Sequence, residues 1–114
     1  MTMRRDVRLE IKERQLSSEG SETYVFGFAG VRQKAPATSG VYTIYSPTRW
    51  IYIGESDDIQ RSLFRHLNEP TPCMSRFGPL SFSFVLGNEV ERKAERRALA
   101  AALAPACNEA GAQP

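Results

Sequence analysis

The stretch that decides the fold is residues 40–66, which read GVYTIYSPTRWIYIGESDDIQRSLFRH. Two runs of β-branched and aromatic residues, 40–45 and 50–54, stand on either side of Ser-Pro-Thr-Arg. Such runs favour strands, and serine with proline favours a turn between them. The stretch therefore predicts a β-hairpin that carries Tyr42 on its first strand and Tyr52 on its second.

A helix is predicted over about residues 57–68, directly after the hairpin. We expect Ser56 to be its N-cap, followed by two aspartates in the first turn, where the helix dipole favours negative charge. Apolar residues recur at i, i+4 and i+8, namely Ile59, Leu63 and Leu67. This spacing predicts that they face the core. Two polar stripes flank them, one with Arg61 and Arg65 and one with Ser62 and His66.

Residues 4–39, on the N-terminal side, predict an added β-hairpin. Apolar and charged residues alternate over residues 7–12, and aromatic residues alternate over residues 23–28. A period of two indicates half-buried strands, and the serines and glycine of residues 17–21 favour a turn between them. Residues 32–39 are expected to form a surface connector.

The C-terminal side predicts one more strand and one more helix. Proline ends the preceding helix, so residues 70–80 are expected to form a loop. Residues 80–86 alternate as a strand does. Asn88 then predicts an N-cap, with Glu91 completing a capping box, and Pro105 ends this last helix.

The order of these elements predicts an α+β fold, with a small, mainly antiparallel sheet flanked by two main helices. We expect the helices to cover one face of the sheet. With 114 residues the chain suits one compact core. We divide it into an N-terminal hairpin extension (1–39), a main domain (40–110) and a flexible tail (111–114).

Composition bounds the class of protein. The net charge of +2 is compatible with a polyanionic partner but does not require one. No apolar run is long enough for a signal peptide or a membrane span, so we expect a cytoplasmic protein without a membrane partner. In that compartment Cys73 and Cys107 are expected to be free thiols. Their spacing does not suggest a zinc site.

The tripeptides Gly40-Val41-Tyr42 and Tyr52-Ile53-Gly54 resemble the two halves of the signature of the GIY-YIG nuclease family. The rest of the order is also similar: a helix with Arg65-His66, a third strand, and a helix with Glu95. The run Pro105-Ala106-Cys107-Asn108 is similar to the Pro-x-x-Asn ending of the family. The resemblance covers about residues 39–110, and the ordered set is more specific than either tripeptide alone.

The resemblance implies metal-dependent hydrolysis of a DNA phosphodiester. It implies that Glu95 holds one divalent cation, Mg²⁺ or Mn²⁺, with Glu91 as the second choice. One of Tyr42 and Tyr52 would act as the base or position the water. That role needs a nearby cation to lower the pKa of the phenol. His66 would relay a proton or orient a neighbour.

The resemblance further implies nucleic-acid contacts from Gly54, Ser56, Ser62 and Asn108. Ser62, however, stands where the family carries an arginine that contacts the scissile phosphate. A serine cannot supply that bidentate charge, and losing such a donor costs about a hundredfold in rate. Arg61 and Arg65 are the candidate substitutes.

Each of these residues also has a structural interpretation. Tyr42 and Tyr52 would be ordinary sheet aromatics, His66 a partner of the helix C-terminus, and Glu95 part of a solvated helix face. Three functions therefore stay open: a metal-dependent endonuclease acting on DNA, a degenerate domain that binds nucleic acid without cutting it, and a protein-interaction module. We take the endonuclease as the leading hypothesis.

Overall fold

The computed structural model describes residues 23–108 of the chain. The first strand of the predicted N-terminal hairpin, its turn, and the tail of residues 111–114 lie outside this range.

Within the described range the chain forms a sheet of four strands with four helices. The strands are β1 (Tyr24–Val25), β2 (Gly40–Tyr45), β3 (Trp50–Ser56) and β4 (Ser81–Leu86). The helices are α1 (Phe28–Lys34), α2 (Ile59–Asn68), α3 (Pro72–Ser75) and α4 (Glu89–Leu103). The strands lie in the order β1-β4-β2-β3, and every neighbouring pair is antiparallel. The predicted α+β class with a mainly antiparallel sheet is therefore confirmed. None of these helices has the length and apolar character that crossing a membrane requires.

The strand predicted over residues 23–28 is shorter than expected. It ends at Val25, and Phe28 begins α1. The alternation of aromatic residues predicted a longer strand. The chain instead turns into a helix at Phe28, and this helix is stabilised by complete burial of Val31 in the core. The surface connector predicted for residues 32–39 is consequently helical up to Lys34.

Helices cover both faces of the sheet, so the prediction that they cover one face is wrong. One core lies under α1, α2 and α3 and includes Val31, Tyr42, Ile44, Ile59, Leu63 and Met74. The other lies under α4 and consists of Val41, Ile53, Leu99 and Leu103. Consecutive strand residues point to opposite faces. Strands β2 and β3 carry apolar residues on both faces of the sheet. Helices must therefore pack on both faces to bury them.

The hairpin of β2 and β3 contains a bulge. Tyr42 lies opposite Gly54 and Ile44 opposite Tyr52, but Tyr45 then pairs with Trp50. The extra residue turns Trp50 to the α4 side of the sheet, where it packs on the second core. Simple alternation would place Trp50 on the same face as Tyr52, so the bulge reverses the orientation of its side chain.

Helix α2 begins later than predicted. Its N-cap is Asp58, whose side chain accepts a hydrogen bond from the backbone of Arg61 at 3.0 Å. The predicted N-cap Ser56 is instead the last residue of β3. The predicted apolar stripe is confirmed, because Ile59 and Leu63 are fully buried in the core. The loop predicted for residues 70–80 contains the short helix α3.

Helix α4 begins and ends as predicted. Asn88 and Glu91 form the capping box, with both hydrogen bonds 2.8 Å long. The helix ends at Leu103, and Ala104 takes the left-handed conformation with φ 46° just before Pro105.

The turn after α4 covers the outer edge of β3. The amide of Ala106 donates to the carbonyl of Trp50 at 3.0 Å, and that of Cys107 donates to Ile51 at 2.8 Å. Cys107 also forms a disulfide with Cys73 of α3. The prediction of free thiols is wrong because the fold brings two cysteines 34 positions apart to a Cα–Cα distance of 5.8 Å.

Candidate functional site

Three of the predicted site residues, Tyr42, Tyr52 and His66, lie in contact, and we call them the tyrosine–histidine cluster. The hydroxyl of Tyr42 lies 2.8 Å from Nε2 of His66. The rings of Tyr42 and Tyr52 stack at 6.1 Å between centroids, and that of His66 lies 4.8 Å from the ring of Tyr52. The hairpin and the last turn of α2 therefore bring together what the sequence keeps 24 positions apart.

A glycine makes this contact possible. Gly54 lies directly opposite Tyr42 in the hairpin. A Cβ at this position would lie 2.5 Å from both Cζ and the hydroxyl oxygen of Tyr42, and 2.9 Å from Cε2 of Tyr52. The tyrosine rings can close over the strand only because residue 54 has no side chain.

Tyr42 is held in its protonated form. Burial raises the pKa of its phenol far above the ordinary value, and the neighbouring Tyr52 raises it further. Arg65 and Arg96 act in the opposite direction, but burial outweighs them. A phenol in this state donates a hydrogen bond and is a poor acceptor of protons. The environment thus disfavours Tyr42 as the base that the family resemblance implies.

His66 is neutral at neutral pH. Burial, and secondly the charge of Arg65, lower its pKa to about 4. The protonated Tyr42 therefore donates to Nε2, and we infer that the ring proton of the neutral imidazole is on Nδ1. No hydrogen bond joins Nδ1 to another residue in the described range. The Nδ1–H donor thus has no acceptor among these residues.

Two cations lie close enough to act on the cluster. Arg65 affects the pKa of both Tyr42 and His66, and Arg96 of α4 affects that of Tyr42. Arg61 is directed elsewhere, since its guanidinium pairs with exposed Asp57 at 3.0 Å. Of the two arginines proposed as substitutes at the site, Arg65 is the one beside the cluster.

The remaining predicted contact residues already have partners within the fold. Ser62 donates to the hydroxyl of Ser56 at 2.7 Å, next to the start of α2. Asn108 accepts from the backbone N–H of Ile53 at 2.7 Å and donates to the carbonyl of Ile53 at 2.8 Å. Asn108 thereby pairs with the backbone of the edge strand β3, next to the bonds made by Ala106 and Cys107.

Glu95, the predicted metal ligand, lines a small cavity on the α4 side of the sheet. Val41 and Glu91 line the same cavity, and Val41 faces away from its neighbour Tyr42. The carboxylate of Glu91, the second choice, accepts the capping bond from Asn88.

The side chains around the tyrosine–histidine cluster do not fit a hard divalent cation. Mg²⁺ and Mn²⁺ prefer carboxylate oxygens. The cluster instead offers phenols and a neutral imidazole, and the charged side chains that shift the pKa of Tyr42 are arginines. Within residues 23–108 no group of three or more His, Cys, Asp or Glu side chains could hold a metal.

Sequence reasoning did not consider Arg96, whose charge acts on Tyr42, as a site residue. A signal was present, since Arg92, Arg96, Leu99 and Leu103 follow one another at intervals of four, three and four. This spacing places both arginines on the stripe of α4 that Leu99 and Leu103 bury against the sheet.

The structure is similar to crystal structures of the GIY-YIG N-terminal endonuclease domain of UvrC from Thermotoga maritima. The magnesium-bound domain is 25% identical, with a TM-score of 0.55 over 67% of this chain and 92% of that one. An asparagine-to-alanine mutant bound to its catalytic divalent cation is 26% identical, with a TM-score of 0.54 over 67% and 91%. A tyrosine-to-phenylalanine mutant is 24% identical, with a TM-score of 0.55 over 67% and 92%. No protein-family profile matches the chain, and no curated protein matches it. The chain therefore has the fold of the GIY-YIG nuclease domain.

Proposed function

We propose that this domain binds nucleic acid by taking a backbone phosphate at the tyrosine–histidine cluster, and that it does not cut the strand by a metal-dependent route. The observation that carries the proposal is the sign of the charges that act on Tyr42. The charges of Arg65 and Arg96 both act on the phenol of Tyr42, and no carboxylate is among the groups that shift its pKa.

The chemistry beside the cluster suits a phosphate. Arg65 and Arg96 supply positive charge, and the neutral imidazole of His66 supplies an N–H donor. Charge-assisted hydrogen bonds from guanidinium groups are the strong contacts of phosphate recognition, and phosphate contacts position a nucleic acid without reading its sequence. DNA is the expected partner, since the similar crystal structures are of a GIY-YIG endonuclease domain.

The test is a fluorescence-anisotropy titration of labelled DNA at several salt concentrations. Replacing Arg96 by glutamine removes one phosphate contact, so Arg96→Gln should weaken binding and reduce the slope of log K against log salt by about 1. Arg97→Gln is the matched control, because Arg97 is the next residue of α4 and is exposed. Equal affinities for the two variants would overturn the proposal.

A metal-dependent endonuclease is the second candidate. The magnesium-bound UvrC domain and the contact among Tyr42, Tyr52 and His66 favour it. In that case Mg²⁺ or Mn²⁺ would support nicking of DNA, and Glu95→Gln would abolish it. We expect no nicking with either cation, and metal-dependent nicking that Glu95→Gln removes would establish the endonuclease instead. A domain that binds no nucleic acid at low salt would contradict both candidates and favour a protein-interaction module.

A further inference from the structure

A groove of about 280 Å³ opens beside the tyrosine–histidine cluster. Phe26, His66, Leu67, Met74, Pro79 and Leu80 provide most of its wall. His66 is neutral here, and the other eight lining residues have no ionisable side chain. The groove is therefore apolar, and neither Arg65 nor Arg96 lines it.

We propose that this groove takes one unstacked nucleobase of a single strand, while the adjacent cluster holds a phosphate of the same strand. The inference rests on the proposed function, since it needs the phosphate site. It adds the class of substrate, namely single-stranded rather than duplex nucleic acid.

The size and the wall of the groove suit one base. Pockets for drug-sized ligands span about 300 to 1,000 Å³, so this groove lies just below that range. Phe26 supplies an aromatic surface, and bases stack on such rings whatever their sequence. Met74 is only 4% exposed, so this part of the wall is fixed by the core. The hydroxyl of Ser75, at an exposed position of the rim, can bond the polar edge of a base.

The groove is continuous with the phosphate site through a single side chain. His66 lines the groove and also bonds the hydroxyl of Tyr42. Within one nucleotide, only the sugar separates the base from its phosphate. A base in a duplex is paired and stacked, and extracting it costs a few kcal/mol. A strand that is already single avoids that cost, so the domain should prefer it.

The experiment compares three labelled ligands of equal length at one salt concentration: an oligothymidylate, an abasic strand with the same phosphates, and a duplex. The oligothymidylate should bind the full chain at least about tenfold more tightly than the abasic strand. Phe26→Leu removes the ring and should abolish most of this difference while leaving the abasic strand bound as before. Phe28→Leu is the matched control, because Phe28 is half exposed and does not line the groove.

If Phe26→Leu fails to fold, Ser75→Leu narrows the rim of the groove and should have the same effect. Equal binding of the thymidine and abasic strands, with both still dependent on Arg96, would overturn the base site and leave the proposed function standing. Equal loss in Phe26→Leu and Phe28→Leu, or equal affinity for duplex and single strand, would also overturn it. A chain that binds none of the three ligands would contradict the proposed function itself.

Discussion

The two faces of the sheet carry two polar clusters of opposite character. On the side of α2, the Tyr42 hydroxyl and the His66 imidazole form a neutral hydrogen bond. On the side of α4, Glu55 of β3 pairs with Arg92 and with Lys93, the latter at 3.2 Å. We call this second set, Glu55, Arg92 and Lys93, the ion-pair network. The charged side chains on the α4 face pair with one another, whereas the hydrogen bond between Tyr42 and His66 joins two neutral groups.

The pKa values of the two clusters show the difference. Burial alone would raise the pKa of Glu55, but hydrogen bonds from Arg92 and Lys93 outweigh it, and the pKa is lowered. His66 has no such partner for its charged form, so burial lowers its pKa. The network is satisfied within the fold and attaches α4 to β3. Among residues 23–108 the Nδ1–H donor of His66 has no acceptor, and the charges of Arg65 and Arg96 act on Tyr42 beside it.

The largest effect we expect comes from the disulfide, which secures the cluster side. Replacing Cys73 and Cys107 by serine should lower the free energy of unfolding by about 3 to 4 kcal/mol, because the bond closes a loop of 34 residues. Urea unfolding of the double variant and of the wild type, with and without a dithiol reductant, measures the difference. Hydrogen exchange should speed up at the amides of Ala106 and Cys107 and stay unchanged at Arg92 of α4. Identical unfolding of oxidised and reduced wild type would show that the bond adds nothing.

The second effect tests whether the cluster is neutral. The unfolded chain protonates His66 near pH 6.5, whereas the folded chain does so near pH 4. The unfolded state thus binds the proton first, and stability present above pH 6.5 is lost as the pH falls toward 4, by about 2 to 3 kcal/mol. His66 is the chain's single histidine, so its NMR titration is unambiguous. A titration midpoint near 6.5 would mean that the imidazole is not buried as described.

The third effect tests the steric packing of the tyrosine–histidine cluster and leaves the charges of both clusters unchanged. Gly54→Ala places a methyl group against the rings of Tyr42 and Tyr52 and should cost about 2 kcal/mol. Displacing Tyr42 also exposes His66, so the histidine titration should shift upward. Gly78→Ala is the control, because a Cβ there meets no atom within 4 Å. An unchanged histidine pKa in Gly54→Ala would indicate that the two tyrosines adjust without releasing His66.

The sequence predicted the elements whose signals are local. Alternation predicted the hairpin, and the residues at both ends of α4 predicted its capping box and its end before Pro105. The sequence-based predictions failed for features that depend on contacts between residues far apart in the chain or on irregular strand pairing. The Cys73–Cys107 disulfide joins residues that are 34 positions apart in the sequence. The orientation of Trp50 depends on a β-bulge that no residue type in the hairpin predicts.

In the candidate site, too, some residues could be predicted from the sequence and others depend on the packing of the fold. The tyrosines and His66 were predicted from the family resemblance, and the structure brings them into contact. The resemblance pointed to Glu95 on α4, with Glu91 as the second choice, and did not draw attention to Arg96, whose charge acts on Tyr42 in the folded chain. The helical spacing of Arg96, Leu99 and Leu103 was visible in the sequence and places Arg96 on the stripe of α4 that faces the sheet.

The smallest effect compares two arginines one turn apart on α4. Arg92 belongs to the ion-pair network, so Arg92→Gln should cost about 1 kcal/mol of stability, since Glu55 keeps Lys93 as a partner. The loss should shrink at high salt, because screening weakens the wild-type pairs. DNA affinity should be unchanged, in contrast to Arg96→Gln, and Arg97→Gln should alter neither property. Urea unfolding and anisotropy on the same three variants measure both. If Arg92→Gln weakened DNA binding as much as Arg96→Gln, positive charge along α4 in general would attract DNA, and the separation of the two clusters would be lost.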